Sequence, residues 1–155
     1  MKYNIKKISN KNEIEKIYLN FIKFSSQKNI FCSKEILEFF FNDLDLYSIY
    51  KNDKIKSFVY LLKDKNNFIV SEPFIYSGII NHPKLNMKNS RYNNEVFKIN
   101  ELIINEIFKN YENINLNLSP NFLDARPFLW FNYGKHDKKK NFSNSMLHFN
   151  NRYSI

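Results

Sequence analysis

Apolar residues recur every three or four positions in three stretches of the chain, the spacing that gathers them on one face of an α-helix. The first stretch covers about residues 11 to 24 and follows Asn10, which forms a capping-box pattern with Glu13. The second follows Ser33, a favourable N-cap residue, and the third and strongest runs from about 94 to 110. The pattern therefore predicts three helices in that order.

Two of these helices have a clear buried face. The buried face of the first is formed by Ile14, Ile17, Tyr18, Phe21, Ile22 and Phe24. The third buries Val96, Ile99, Leu102, Ile103, Ile107 and Phe108, and it exposes Glu95, Lys98, Glu101, Asn105 and Glu106. Helices of this kind pack their apolar face against a sheet or another helix.

The remaining apolar positions follow the period of β-strands. Residues 2–8 alternate between polar and apolar and predict an edge strand. A strand from about 44 to 50, a turn at Asn52 and Asp53, and a nearly continuous apolar run over 55–62 predict a hairpin whose second strand is buried on both faces. A third antiparallel strand at 68–70 completes a meander.

Beyond the meander the strand pattern is interrupted. Pro73 and Gly78 break the apolar run that ends at Ile80, which predicts a bulged or bent extension of the sheet near a cleft. Residues 81–93 are polar and rich in lysine, so they predict a surface loop. Residues 113–118 alternate asparagine with isoleucine or leucine, as expected of a strand with one face in the core.

The stretch from Leu116 to Gly134 concentrates the features that shape a site. It contains the only tryptophan, one of the two glycines and two of the four prolines. It predicts the end of a strand, a turn and a short helix that begins beside Asp124 and Arg126. After a lysine-rich loop, residues 142–149 and 152–155 are candidate short strands.

The element order is strand, helix, helix, three-strand meander, helix, strand, short helix and strands. This order predicts an α/β fold with a mixed sheet and helices on both faces. A length of 155 residues favours a single domain over 1–155.

The composition bears on cellular location, disulfide bonds and metal sites. No segment approaches the roughly 20 apolar residues of a membrane span, and the N-terminus lacks the apolar region of a secretory signal, so a cytoplasmic location is expected. Cys32 has no second cysteine to pair with and is expected to be a small buried hydrophobe. His82, His136 and His148 share no ligand-like spacing, so no metal site is predicted.

The net charge of +9 allows two interpretations. Most lysines are scattered, as expected of a solvated surface, and only residues 135–140 form a cluster. In the first interpretation Lys138, Lys139 and Lys140 lie in a solvated loop. In the second they bind nucleic acid, which would make the chain a non-catalytic nucleic-acid-binding or protein-interaction module.

Several motifs together carry a family resemblance. They are Ser119-Pro120, Asp124-x-Arg126-Pro127-Phe128-x-Trp130-x-x-Tyr133, Glu72-Pro73-Phe74-x-x-x-Gly78 and Arg152-Tyr153. With the element order, they make the chain resemble the GNAT acyltransferase fold and, more specifically, FemAB-like aminoacyl and acyl transferases of bacteria. The resemblance covers about residues 30 to 155 and corresponds to the first of the family's two GNAT-like halves.

The resemblance implies a function in cell wall biogenesis. The reaction would be acyltransferase chemistry, in which an amine of a nucleotide-sugar or peptidoglycan precursor attacks an ester or thioester. The family resemblance implies aminoacyl-tRNA as donor, and a second GNAT-like half or another copy of the chain as the completing partner. Acyl-CoA is disfavoured, because residues 81–94 contain no glycine to let backbone N–H groups approach a pyrophosphate.

The resemblance and the local pattern together suggest substrate-binding residues, but no catalytic group. The candidates are Tyr76, Gly78, Asp124, Arg126, Trp130 and Tyr133. Arg126 could bind a phosphate or carboxylate of the acceptor, with Asp124 orienting it or accepting a proton. Alternatively, Asp124 caps the short helix and the pair fixes a corner. Trp130 and Tyr133 could line a groove or pack in the core.

Overall fold

The structure is a computed structural model that describes residues 3–84, 86–111, 113–122, 124–129 and 146–149. Within these residues the chain has a mixed α/β architecture built on one seven-stranded, mostly antiparallel sheet. The α/β prediction is therefore confirmed. None of the described helices combines the length and apolar content that a membrane span requires.

The strands and helices alternate much as the sequence pattern predicts. They are β1 (Tyr3–Lys7), α1 (Lys11–Asn20), α2 (Lys34–Phe39), β2 (Leu44–Lys51), β3 (Lys54–Lys63), β4 (Ile69–Val70), β5 (Gly78–Asn81), α3 (Asn89–Glu106), β6 (Asn113–Leu116), α4 (Arg126–Leu129) and β7 (Met146–Phe149). The candidate strand at 152–155 lies outside the described residues, and the one predicted at 142–149 is described only as β7.

The sheet begins as an antiparallel meander and ends in parallel strands. β1 pairs with β2 and β2 with β3, all antiparallel. β4 pairs with the end of β3 and β5 with its middle, so β4 and β5 are two pieces of one interrupted strand. β6 lies parallel to β4, and β7 lies parallel to β6. The predicted bent extension after the meander is confirmed.

Two local features explain the hairpin and the interruption. Asn52 and Asp53 adopt φ of 49° and 59°, the left-handed conformation that matches a tight hairpin turn to the twist of its strands. Gly78 adopts φ of 102°, and a Cβ built there would lie 3.1 Å from Leu116 Cδ1 of the neighbouring strand. Only glycine accommodates both that backbone conformation and that close approach.

Helices cover both faces of the sheet, as predicted. Phe58 and Tyr60 of β3 pack in a cluster with α1 and α2, whereas Val59 and Leu61 pack in a cluster with α3. Successive side chains of a strand point to opposite faces, so the two clusters lie on opposite sides of the sheet. Cys32 is fully buried in the cluster with α1 and α2, as expected of a small hydrophobe.

The α1 region differs from the prediction at both ends. Asn10 caps the helix, its Oδ1 accepting from the N–H of Asn12 at 2.9 Å. The Glu13 carboxylate instead binds Lys6 Nζ at 2.7 Å, so the second half of the capping box is absent. α1 ends at Asn20 and a 3-10 turn follows, which rotates Phe24 out of the apolar face and leaves it 61% exposed.

The predicted surface loop at 81–93 is confirmed only in its middle, where Pro83, Lys84, Asn86, Met87 and Lys88 lie outside regular structure, and it is wrong at both ends. Asn81 ends β5 and is buried, His82 is buried, and α3 begins at Asn89, about five residues before the predicted start. The N-cap residue, Lys88, makes no side-chain capping bond. The first turns of α3 were missed because polar residues dominate them and no capping signal marks the start.

Candidate functional site

The predicted substrate-binding residues that the structure describes lie on two neighbouring segments. Tyr76 lies in the bend between β4 and β5 and Gly78 is the first residue of β5, while Asp124 and Arg126 form the corner at the start of α4. Trp130 and Tyr133 lie outside the described residues, as do Lys138, Lys139 and Lys140. The Ser77 N–H donates to the Asn117 carbonyl at 2.7 Å, which joins the two segments across β5 and β6.

Asp124 and Arg126 form a compact ion pair. The nearly buried Asp124 accepts from Arg126 Nε at 2.8 Å and from Nη2 at 2.6 Å, and it also accepts from the Arg126 backbone N–H at 3.1 Å. These bonds from Arg126 hold the pKa of Asp124 below its ordinary value. The side-chain contact that the corner interpretation predicts is present, and Asp124 also bonds the first N–H of α4.

Arg126 remains accessible in spite of this pairing. Its side chain is 54% exposed, and its guanidinium lies 5.4 Å from the centre of the Phe97 ring on α3. Asn100 of α3 donates to the backbone carbonyl of Asp124 at 3.3 Å and ties the corner to the helix. An arginine positioned in this way can receive a phosphate or carboxylate group from solution.

The backbone of Tyr76 contacts the buried Tyr60 of β3. Tyr76 is half-buried, and its backbone carbonyl accepts from the hydroxyl of Tyr60 at 3.2 Å. Burial raises the pKa of Tyr60 far above its ordinary value, so this hydroxyl stays protonated and remains a donor. The convergence of Tyr76 and Arg126 on one substrate stays a prediction.

The connection between α1 and α2 bridges the end of β5 and the turn that follows β6. Gln27 Oε1 accepts from the Asn81 N–H at 2.6 Å, and Gln27 Nε2 donates to the Asn121 carbonyl at 3.3 Å. Ser25 Oγ donates to the Asn81 carbonyl at 3.0 Å. These side chains supply the hydrogen bonds that a neighbouring strand would otherwise give to Asn81. The sequence pattern gave no sign of this role.

A second cluster, centred on Glu95, lies on the α3 face of the sheet. The Glu95 carboxylate is 8% exposed and lies 2.6 Å from Lys51 Nζ and 3.3 Å from Lys56 Nζ. The predicted exposure of Glu95 is therefore wrong. The error arises because the two lysines come from the β2–β3 hairpin, where a bulge after Ile49 shifts the register.

Glu95 stays ionised in this environment. Burial opposes its ionisation, but the hydrogen bond from Lys51 and the charge of Lys56 outweigh this effect and hold its pKa below the ordinary value. His82 Nε2 lies 3.3 Å from the same carboxylate. Burial and the charge of Lys56 lower the pKa of His82, so the imidazole is mainly neutral at pH 7.

The Glu95 cluster opens onto a basic hollow of about 1160 Å³. We use this name for the cavity lined by Lys51, Lys54, Lys56, Arg91, Lys98 and Glu95, together with Tyr3, Asn52, Met87, Ser90 and Asn94. It therefore holds five cationic side chains and one carboxylate. The linear sequence contained one weak signal for it, because Arg91, Glu95 and Lys98 recur at helical spacing on one face of α3.

Another hollow, of about 1270 Å³, lies beside α1 and adjoins the basic hollow, with which it shares Lys54 and Lys56. Its walls are more apolar and include Phe21, Phe24 and Ile55. The predicted residues Tyr76, Gly78, Asp124 and Arg126 line neither hollow. The sequence-based site and the two hollows are therefore separate features of the described part of the molecule.

Comparison with known proteins leaves the function to be argued from these features. No family model, curated protein or solved structure matches the chain at a significant level.

Proposed function

We propose that this chain is a GNAT-like domain resembling the first half of a FemAB-type aminoacyl or acyl transferase. Its substrate would be an amine acceptor, such as a nucleotide-sugar or peptidoglycan precursor. The proposal is supported by the arrangement of the elements. An antiparallel meander leads into an interrupted fourth strand, then a long helix, then a parallel strand and the corner of Asp124 and Arg126.

The observation that carries the site assignment is the fixed but accessible guanidinium of Arg126. Asp124 holds it by two side-chain bonds while more than half of the side chain stays exposed. A guanidinium held in one orientation loses little freedom when it binds, and its planar fork matches phosphate and carboxylate groups. Arg126 would thereby position the acceptor, and Asp124 is a positioning residue.

The proposed reaction transfers an acyl group to nitrogen. The acceptor amine forms a new C–N bond at the carbonyl of an ester or thioester, and the C–O or C–S bond of the donor breaks. The amine loses a proton, and the leaving alcohol or thiol gains one. Positioning of the amine contributes most on the acceptor side. The donor and its binding surface would come from a second half or a second copy.

Aminoacyl-tRNA suits this arrangement better than acyl-CoA. The connection from β5 to α3 contains no glycine, so side chains keep a pyrophosphate away from its backbone. In addition, Gln27 and Ser25 already bind the backbone N–H and carbonyl of Asn81 at the end of β5. A ligand could use those groups only by displacing the α1–α2 connection.

Binding of a nucleotide-linked peptidoglycan precursor tests the proposal. We expect calorimetry with the uridine-diphosphate-linked muramoyl pentapeptide to show saturable binding that depends on Arg126. Arg126→Ala should weaken binding by about tenfold or more, because a charge-assisted, bidentate contact is lost. Arg126→Lys should recover only part of the affinity, since lysine keeps the charge but lacks the planar fork.

The matched control removes a surface cation elsewhere. Lys109→Ala deletes a charge that is 54% exposed and paired with Glu106 at the end of α3, and it should leave the affinity within about twofold. Unchanged affinity in Arg126→Ala would remove Arg126 from the site. Absence of binding by the unmodified chain would exclude this acceptor class.

The second candidate function is a non-catalytic nucleic-acid-binding module, favoured by the charge of +9 and the basic hollow. It predicts that fluorescence anisotropy with labelled single-stranded RNA shows an affinity that falls steeply with salt. Replacing Lys138, Lys139 and Lys140 by glutamine should reduce the slope of log K against log salt by about 2, at roughly 0.7 per phosphate contact. An unchanged slope contradicts a role of these lysines in binding.

A further inference from the structure

The basic hollow contains more cationic side chains than its one carboxylate can pair with. Lys51 and Lys56 are both paired with Glu95. Lys54, Arg91 and Lys98 line the same cavity and form no ion pair with any carboxylate of the described residues. Three cations are therefore held near two others with one carboxylate between them, an arrangement that attracts anions.

The hollow is assembled from segments that are distant in the sequence. Lys51, Lys54 and Lys56 come from the β2–β3 hairpin, while Arg91 and Lys98 lie on one face of α3. The buried Glu95 links these segments, because it bonds to Lys51 across 44 positions and to Lys56 across 39 positions. Glu95 thus fixes two of the cations in place before any ligand binds.

The start of α3 adds to the positive potential. α3 has 18 residues, its first turn contains no acidic residue, and Lys88 at the N-cap supplies no capping bond. Ser90 and Arg91, in that first turn, line the hollow. The first N–H groups of a helix lack intrahelical acceptors and carry a partial positive charge, which adds to the attraction of an anion held by the side chains of the hollow without direct contact to the backbone.

We propose that the basic hollow binds a phosphate-bearing anion through Lys54, Arg91 and Lys98. A diphosphate carries enough negative charge to balance several cations, and the guanidinium of Arg91 can bind two of its oxygens at once. The cavity is also large enough for an organic phosphate. The same phosphate chemistry is offered by a nucleoside diphosphate and by a nucleic acid backbone.

This site is separate from the proposed transferase site and does not depend on it. The hollow includes Tyr3 of β1 and Lys51 of β2, whereas Asp124 and Arg126 follow β6. In the order of the sheet, β1 and β2 are separated from β6 by β3 and β4. The experiments below leave Arg126 unchanged, so failure of one proposal is distinguishable from failure of the other.

Calorimetric titration of the full chain with inorganic pyrophosphate at low salt tests the site. We expect saturable binding of one pyrophosphate per chain. The double variant Lys54→Gln/Arg91→Gln should weaken it by about tenfold or more, because two charge-assisted contacts are lost. Both side chains are exposed, so the variant should keep its thermal unfolding midpoint.

A control variant that also removes two positive charges distinguishes binding at the hollow from general attraction of pyrophosphate to a cationic protein. Lys65→Gln/Lys109→Gln removes two exposed cations, one in the β3–β4 turn and one after α3, which do not line the hollow. It should change the affinity by less than about twofold. Equal weakening in the two double variants, or no saturable binding by the unmodified chain, overturns the proposal.

Competition identifies the source of the phosphate. Displacement of pyrophosphate by uridine diphosphate supports a nucleotide site. Displacement only by single-stranded RNA supports a site for a nucleic acid backbone, and its affinity should then fall with salt. If neither compound displaces pyrophosphate, the hollow does not take an organic phosphate and the proposal is overturned.

Discussion

Replacing Glu95 by glutamine is expected to lower the free energy of unfolding by about 2 to 3 kcal/mol. Glu95 is 8% exposed and its carboxylate balances the ammonium groups of Lys51 and Lys56. Glutamine keeps the shape but removes the charge, which leaves two half-buried cations without a counterion. Removing one partner of a fully buried ion pair costs roughly 3 to 5 kcal/mol. The expected loss is smaller here, because both lysine side chains remain about one-fifth exposed and can rehydrate.

Urea unfolding measures this effect, and Glu106→Gln provides the control on the same helix. Glu106 pairs with Lys109, but its side chain is 50% exposed, so its loss should cost less than about 1 kcal/mol. If the two variants lost equal stability, the Glu95 cluster would be no more important to the fold than a surface ion pair.

The pH dependence of the same variant gives an independent check. The folded-state pKa of Glu95 is held below its ordinary value of 4.5. A lowered pKa contributes stability above the unfolded-state value, and that contribution is lost as pH falls through the folded-state value. The stability gap between the unmodified chain and Glu95→Gln should therefore be full at pH 7 and shrink below about pH 4.5. A gap that did not change with pH would contradict an ionised Glu95.

Replacing Gln27 by methionine is expected to cost about 2 to 3 kcal/mol. Methionine matches the length of glutamine but can bond neither to the Asn81 N–H nor to the Asn121 carbonyl. Asn81 is 2% exposed, so its N–H would lose its partner where water cannot easily replace it. Asn121 is exposed, and its carbonyl can turn to solvent, which limits the cost.

Denaturant unfolding and hydrogen exchange together test this role of Gln27. Ser26→Ala is the control, because Ser26 is exposed and takes part only through its backbone carbonyl, which accepts from Asn121 Nδ2 at 2.8 Å. It should change stability by less than about 0.5 kcal/mol. The Asn81 amide should lose protection in Gln27→Met and keep it in Ser26→Ala. Unchanged protection in both would show that Gln27 is not what shields the end of β5.

Features with local causes could be predicted from the sequence. Ser33 caps α2, its Oγ accepting from the Ile36 N–H at 3.4 Å, as its position before an apolar run indicates. Asn52 and Asp53 turn the hairpin because asparagine and aspartate tolerate the left-handed conformation. Asp124 and Arg126 pair because they are two positions apart, so their contact depends little on the rest of the fold.

The ends of helices were harder to predict where polar residues form the terminal turns. The first turns of α3 carry no cap and few apolar side chains, so only the packing of Tyr92 and Val96 reveals them. Phe24 follows the periodicity of α1, but the helix gives way to a 3-10 turn before it. Tertiary packing decided both cases, because local preference was weak there.

The sequence by itself determined the order of the elements, the α/β class, the hairpin and the glycine at the interruption, since each follows from periodicity or from the conformational limits of one or two residues. Only the tertiary structure decided which polar side chains are buried. Gln27 meets Asn121 across 94 positions, and Glu95 meets Lys51 across 44. A polar residue looks the same in a sequence whether it faces solvent or a partner that the fold brings near, and the fold alone makes that difference.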